Sequence, residues 1–382
     1  MTHGPPRVGG TTFDNPAAGT TSVGVPRVAT LDITRAIALI GVVVMNYHGY
    51  LNGDSDGRDL ADRVFDIGSG VLSTRFAAVF VVVAGASMAM LTSRSFTSGD
   101  EQLVRRDRRR LLRRGVVLTA GGAALEHAWP GTIIFYYGVY FVLASLFFTA
   151  RNRMIIGLAV ASAIGATAIG SWEAARQSDG HSTTWLHPAH PHSVREWIIR
   201  AFVDHTHPVL PWLGFLCLGI LIGRNYDGFR RLATRYAIAA FALVVVAYIS
   251  VTALDRTSQR TGPIVHTVTS MQPFSRGLPY TLSTAAIAVT VLASIIHLCE
   301  SPKFEQSVRV LQRAGQMTLT LYLLHVLIFY VAVRWTHWVG SGLANALLLG
   351  LAYWVFALAL GSWWHHRIGR GPAERIYRLL GG

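Results

Sequence analysis

Residues 71–114 read VLSTRFAAVFVVVAGASMAMLTSRSFTSGDEQLVRRDRRRLLRR. About twenty apolar residues, enough for a helix to cross a hydrocarbon core about 30 Å thick, run into a block holding Arg94, Arg105, Arg106, Arg108, Arg109, Arg110, Arg113 and Arg114. An apolar run that stops at a dense arginine block reads as a membrane helix ending on its cytoplasmic side. The alternation recurs along the chain. Apolar stretches fall near Leu31–Tyr50, Val71–Ser93, Gly115–His127, Thr132–Ala150, Met154–Trp172, Val209–Tyr226, Tyr236–Leu254, Tyr280–Leu298, Gln316–His337 and Leu343–Trp364. They predict an all-α, polytopic membrane bundle of about ten transmembrane helices.

The charges decide the orientation. The connections after even-numbered stretches add Arg151 and Arg153, then Arg224, Arg230, Arg231 and Arg235, then Lys303, Arg309 and Arg313. With Arg7, Arg27, Arg367, Arg370, Arg375 and Arg378 this side holds 23 of the 34 Lys and Arg residues. Both termini are therefore expected to be cytoplasmic, in a multi-pass protein of the cell (plasma or inner) membrane. A composition of 51% hydrophobic and 14% charged residues suits such a chain and not a soluble globule. The net charge of +14 sits in short loops and forms no nucleic-acid groove, so no nucleic-acid partner is expected. Two cysteines, Cys217 and Cys299, lie inside apolar stretches and form neither a disulfide framework nor a zinc signature. Residues 1–26, rich in Gly, Pro and Thr, read as a disordered cytoplasmic tail, residues 27–366 as the membrane domain and residues 367–382 as a basic cytoplasmic tail.

Three longer loops fall on the outer side. The first carries Asp54, Asp56, Asp59, Asp62 and Asp66, the second His181, His187, His190, His192, His205 and His207, and the third runs from Asp255 to Pro279. Long loops over a compact bundle generally cover a binding cavity. The histidine spacings are irregular, and His187, His190 and His207 each precede a proline, so no metal site is expected.

Ionisable groups at bilayer depth are functional candidates by default. Asp32 and Arg35 share a face at the cytoplasmic end of the first stretch, where they can pair or hold an anion. Asn46 and His48 stand at its outer end, and His127 follows Glu126 at the outer end of the third. His325 falls near mid-membrane in the ninth, after Thr318, Thr320 and Tyr322. Each histidine is a candidate general base, set against an equally simple packing role. Asp66, Arg75 and Trp212 lie at the outer side, Tyr136 and Tyr137 form a polar aromatic patch in the fourth stretch, and Arg224 ends the sixth. No P-loop, dinucleotide fingerprint or nucleophile elbow is present.

Six segments in order carry a resemblance. Arg27–Gly41 with Asn46, Ser73–Ser87 around Arg75, Ile133–Gly138, Pro208–Arg224, Gly315–Tyr322 and Gly369–Arg378 are similar to the motifs of YeiB-like proteins and of the heparan-α-glucosaminide N-acetyltransferase catalytic region. Ala36 replaces the usual glycine after the first-helix arginine, and His48 lies near the place of the relatives' catalytic histidine. The resemblance implies an integral membrane acyltransferase that moves an acyl group from cytoplasmic acyl-CoA to a glycan, glycolipid or other envelope acceptor. On that reading Arg35, Arg224 and Arg370 hold the acyl-CoA co-substrate, and His48, His325 or His127 is the base. Asp32, Arg35, Asn46, Asp66, Arg75, Tyr136, Tyr137 and Trp212 contact substrate. The lipid bilayer is the obligatory partner, and a homo-oligomer is compatible with the pattern. A transporter or flippase of a small molecule or lipid is the competing reading, and it predicts broken helices in inverted repeats.

Overall fold

The computed structural model describes residues 29–51, 64–66, 68, 70–188, 191–258, 262–338 and 340–382. The expected N-terminal tail with Arg7 and Arg27, the acidic residues Asp54 to Asp62, and His190 lie outside the described residues. The main helices are α1 (Ala29–Leu51), α2 (Arg75–Leu91), α3 (Glu101–Glu126), α4 (Ile133–Phe147), α5 (Asn152–Ser178), α6 (Val194–Phe202) and α7 (Val209–Arg224). They continue as α8 (Ala233–Ser258), α9 (Leu278–Glu300), α10 (Glu305–Gly315), α11 (Thr318–Thr336), α12 (Leu343–Arg367) and α13 (Pro372–Gly381). Among the described residues there is no strand.

Among the described residues six helices, α1, α5, α8, α9, α11 and α12, are long and apolar enough to cross a membrane, and α2, α4 and α7 are apolar but shorter. The bundle is apolar inside and also over much of its outer surface. α8 leaves Ile238, Phe241, Val246, Tyr248 and Ile249 exposed, each at 58–66%. Water does not tolerate a continuous apolar face of that size, whereas lipid does. α1 is the converse, with 67% of its apolar window buried against none for α8. α1 forms the centre, in contact with α2, α9, α10, α11 and α12.

The quoted arginine block is the main departure from the expected pattern. Its second half is not a loop: Asp100 caps α3 by accepting from the backbone N–H of Gln102 at 2.8 Å, and the helix runs unbroken from Glu101 through the arginines into the third apolar stretch. Arginine and leucine are good helix formers, and Asp100 supplies the start signal. α3 packs along α4, α2 along α7, and α5 along α7. The α2–α7 crossing is backbone to backbone. A β-carbon at Gly219 would collide with the Val82 carbonyl, and Gly219 with Gly223 forms a small-xxx-small face. Asp32, Arg114, Glu374 and Arg378 gather at one end of the bundle, the arginine-rich end, and Asn46, Ser73, Pro130 and Thr206 at the other.

Candidate functional site

The first turn of α1 builds one half of the site. Arg35 donates from Nη1 to Asp32 Oδ1 at 2.7 Å and from Nη2 to Ser87 Oγ on α2, while Gln316 Nε2 donates to Asp32 Oδ2 at 3.3 Å. Gly315 lets the α10–α11 corner rest on the Asp32 backbone, where a β-carbon would not fit. These groups line a cavity of about 280 Å3 with Arg114, Arg378 and Glu374 on its polar wall and Phe80, Met88, Ile134 and Phe141 on its apolar wall. Glu374 ties α13 to the start of α11. Its carboxylate accepts from the Leu319 and Thr320 N–H groups at 2.7 and 3.1 Å and from Thr320 Oγ1 at 2.5 Å. An anion at a helix N-terminus satisfies free donors and complements the dipole. The Arg114 guanidinium lies 5.6 Å from the centroid of the Tyr377 ring, which lines the same cavity.

A second cavity of about 270 Å3 opens toward the other end, between Asn46, Tyr50, Ser73, Thr74, Gly131, Thr206, His207 and Phe274. Ile133 and Tyr322 line both cavities. At this waist the Tyr322 hydroxyl lies 3.1 Å from Thr132 Oγ1, and Asn46 Nδ2 lies 3.2 Å from His325 Nε2. His325 is fully buried. Its Nδ1 faces the Tyr322 carbonyl, which can only accept, so Nδ1 carries the proton and Nε2 keeps its lone pair toward the Asn46 amide. An aromatic box of Tyr47, Trp129, Tyr322 and Tyr353 holds the imidazole, with ring centroids 4.7–6.3 Å away. The Trp129-Pro130 break after α3 is what lets Trp129 turn inward, stacked on Tyr50 at 3.8 Å. Glu126 holds that break in place by accepting from the Gly131 N–H at 2.9 Å and from the buried Arg200 guanidinium.

Beyond the second cavity, and sharing Thr206 and Phe274 with it, lies a polar chamber of about 320 Å3. Here His187 bridges Asp204 at 2.7 Å and Glu173 at 2.6 Å. The hydrogen bond to Asp204 lifts the His187 imidazole to about 9; partial burial works against it and Glu173 adds to it. Arg276 donates to the Val203 and His205 carbonyls and holds this loop down. Burial pushes His207 down to about 3, with His205 and Arg276 reinforcing the effect, so it stands in the second cavity as a neutral ring.

The sequence candidates divide accordingly. Asp32, Arg35 and Tyr137 line the first cavity and Asn46 the second, while His325 lines neither and reaches them through Asn46, with its ring beside Tyr322. His48 is buried on α1 and lines neither cavity, because two residues of helix turn it well away from Asn46. His127 is exposed, its Nδ1 3.2 Å from the Ala123 carbonyl. The Arg75 guanidinium lies 4.5 Å from the Tyr280 ring centroid and donates to the Met271 and Ser73 carbonyls, pinning loop to helix. Asp66 is half-buried, and its carbonyl accepts from the Gly70 N–H at 2.8 Å. Tyr136 and Trp212 back His207, with ring centroids 5.8 and 4.5 Å from it. Arg224 donates to the Phe148 and Ala150 carbonyls, both at 2.8 Å, and to Asn152; neither it nor the exposed Arg370 lines the first cavity. Sequence reasoning passed over Ser87, Arg114, Gln316, Glu374 and Arg378 at the first cavity, His207 at the second and Thr132 behind Tyr322. Only the i, i+3 spacing of Tyr322 and His325 on a helix gave a usable hint of the waist.

Fold and site together define a multi-pass helical membrane protein whose two cavities share Ile133 and Tyr322, with the buried His325 behind them. Residues 27–254, more than half of the chain, match the family model described as heparan-alpha-glucosaminide N-acetyltransferase, catalytic, and the chain belongs to that family. Residues 224–381 match a second model, described as protein of unknown function (DUF418). No curated protein matches the chain. The site draws on both matched regions: Arg35, Asn46 and Thr132 come from the first, and Tyr322, His325 and Glu374 from the second.

Proposed function

We propose that the protein is an acyl-CoA-dependent membrane acyltransferase that works through its two cavities. The observation carrying this reading is that cavities from opposite ends of the bundle share Ile133 and Tyr322, beside the Asn46–His325 pair. On this reading the arginine-rich end is cytoplasmic, and the chain crosses the cell membrane ten times: six long helices, three shorter ones and the apolar half of α3. Acyl-CoA enters from the cytoplasm, its phosphates held near Arg35, Arg114 and Arg378, and its acyl chain follows the apolar wall toward Tyr322. The acceptor, a hydroxyl or amine on a sugar or envelope lipid, arrives through the opposite cavity.

At the waist His325 Nε2 is the base. It takes the acceptor proton as the acceptor oxygen or nitrogen attacks the thioester carbonyl, and the tetrahedral oxyanion then collapses with loss of the CoA thiolate. Asn46 holds the ring until substrate displaces it, and the Tyr322 hydroxyl, backed by Thr132, donates to the oxyanion. His48 is the competing base, buried on the same helix as Asn46. With labelled acetyl-CoA supplied to the cytoplasmic face of membrane vesicles, label is expected in a membrane lipid or glycan. His325→Ala is expected to cut the transfer rate at least about 100-fold with acyl-CoA binding retained. Failure of the wild-type protein to bind acyl-CoA would sink the proposal, and loss of transfer with His48→Ala but not His325→Ala would move the base.

Two cavities separated by one waist also suit a carrier, and that geometry is the observation favouring transport. Counterflow of a solute in proteoliposomes without acyl-CoA consumption would decide for it.

A further inference from the structure

The arginine half of α3 opens on a third space at the same end of the bundle, a recess of about 570 Å3 between α3 and the end of α13. Gln102, Arg105, Arg106, Arg109, Arg110 and Arg113 line it together with Gly381 and Gly382, and no carboxylate side chain is among them. Arg105 pairs with Glu101 at 2.8 Å, and the Gly382 main-chain oxygen accepts from Arg110 Nε at 2.8 Å and Arg114 Nη2 at 3.1 Å. The side chains of Arg106, Arg109 and Arg113 make no hydrogen bond or ion pair among the described residues. Their spacing puts all three on one helix face, where like charges repel unless an anion lies among them.

The surface beside these cations is apolar. Next along α3, Leu112 and Val116 are 42% and 55% exposed. Across the recess α13 turns Ile376, Leu379 and Leu380 outward, at 58%, 84% and 58% exposure. Their i, i+3, i+4 spacing makes α13 an amphipathic helix of the kind that lies in a membrane interface. α3 itself continues from the arginines into the apolar bundle, so the recess stands at headgroup depth and Leu112 and Val116 at the start of the acyl region.

We propose that this recess binds the phosphate headgroup of an anionic phospholipid from the surrounding leaflet, with its acyl chains along Leu112, Val116 and the outer face of α13. A soluble polyanion would engage the three arginines but leave the neighbouring apolar faces uncovered; a phospholipid covers both. The inference is independent of the acyl-transfer reading, since it needs only a membrane interface at this end.

Native mass spectrometry of the purified protein, titrated with phosphatidylglycerol or phosphatidylcholine, tests it. The wild-type chain is expected to retain phosphatidylglycerol preferentially. Replacing Arg106, Arg109 and Arg113 together by Gln is expected to weaken that retention about five-fold per arginine, on the order of a hundred-fold in all. The corresponding triple Lys variant keeps the charge and is expected to retain most of the binding, which separates lost charge from lost fold. Leu379→Ser with Leu380→Ser is expected to weaken lipid retention while leaving Arg106, Arg109 and Arg113 in place. Equal retention of the two lipids by the wild type would overturn the proposal. So would a Gln variant, folded by circular dichroism, that binds as the wild type does. Displacement of phosphatidylglycerol by millimolar inorganic phosphate, or by adenosine 3′,5′-bisphosphate, would reassign the recess to a soluble anion.

Discussion

His187 shows what a single residue adds to the chamber it lines with Glu173 and Asp204. Its ring bridges Asp204 and Glu173 and so ties the end of α5 to the loop that carries His205 and His207. The folded protein holds the imidazolium proton up to about pH 9, whereas an unfolded chain releases it near 6.5. The clamp therefore contributes its full stabilisation below about pH 6.5 and loses it as the pH rises through about 9. Thermal unfolding of wild-type protein and His187→Gln is expected to differ at pH 6 and to converge by about pH 10; a gap that persists would disprove the charged bridge. Residue type alone could not single out His187 among the outer-loop histidines, nor His325 among the three candidate bases. What separates them is the company each keeps: two carboxylates for His187, an aromatic box and one amide for His325, and exposed surface for His127.

At the scale of elements, close backbone packing does much of the work. Apolar burial gives little preference for one membrane helix over another, because lipid chains are as apolar as leucine. α2 and α7 instead meet through Gly85, Gly219 and Gly223, each of which would clash with the opposing backbone if it carried a β-carbon. Gly219→Ala is expected to destabilise the protein by roughly 1–3 kcal/mol, read as a lowered unfolding midpoint in detergent. Gly165→Ala on α5 is the control, since the new carbon would meet only the Leu210 side chain at 3.6 Å. The glycines of the seventh helix were visible in the sequence, but their partner helix was not. The arginine block shows the opposite case. Its charge pattern pointed to one side of a membrane, and its continuity with the third apolar stretch as one helix emerged only with Asp100 recognised as the cap.

For the whole molecule, the two ends of the bundle differ in charge and in chemistry. The arginine-rich end carries Arg35, Arg114 and Arg378 around one cavity, and the opposite end carries neutral His207 and the His187 bridge around the others. If the positive-inside bias sets the orientation, a reporter fused after Gly382 will be active only in the cytoplasm, and one inserted at His181 only outside; the reverse pattern would invert donor and acceptor sides. The sequence by itself determined the environment, the helical class and the family motifs, because hydropathy and charge sorting are local, additive properties that survive without knowledge of neighbours. Only the tertiary structure decided that Asn46 and His325, 279 positions apart, meet at 3.2 Å, and that Ile133 and Tyr322 join two cavities. Those contacts depend on which helix faces which, and that choice is made by backbone approach at glycines and by buried polar pairs, terms no single segment contains.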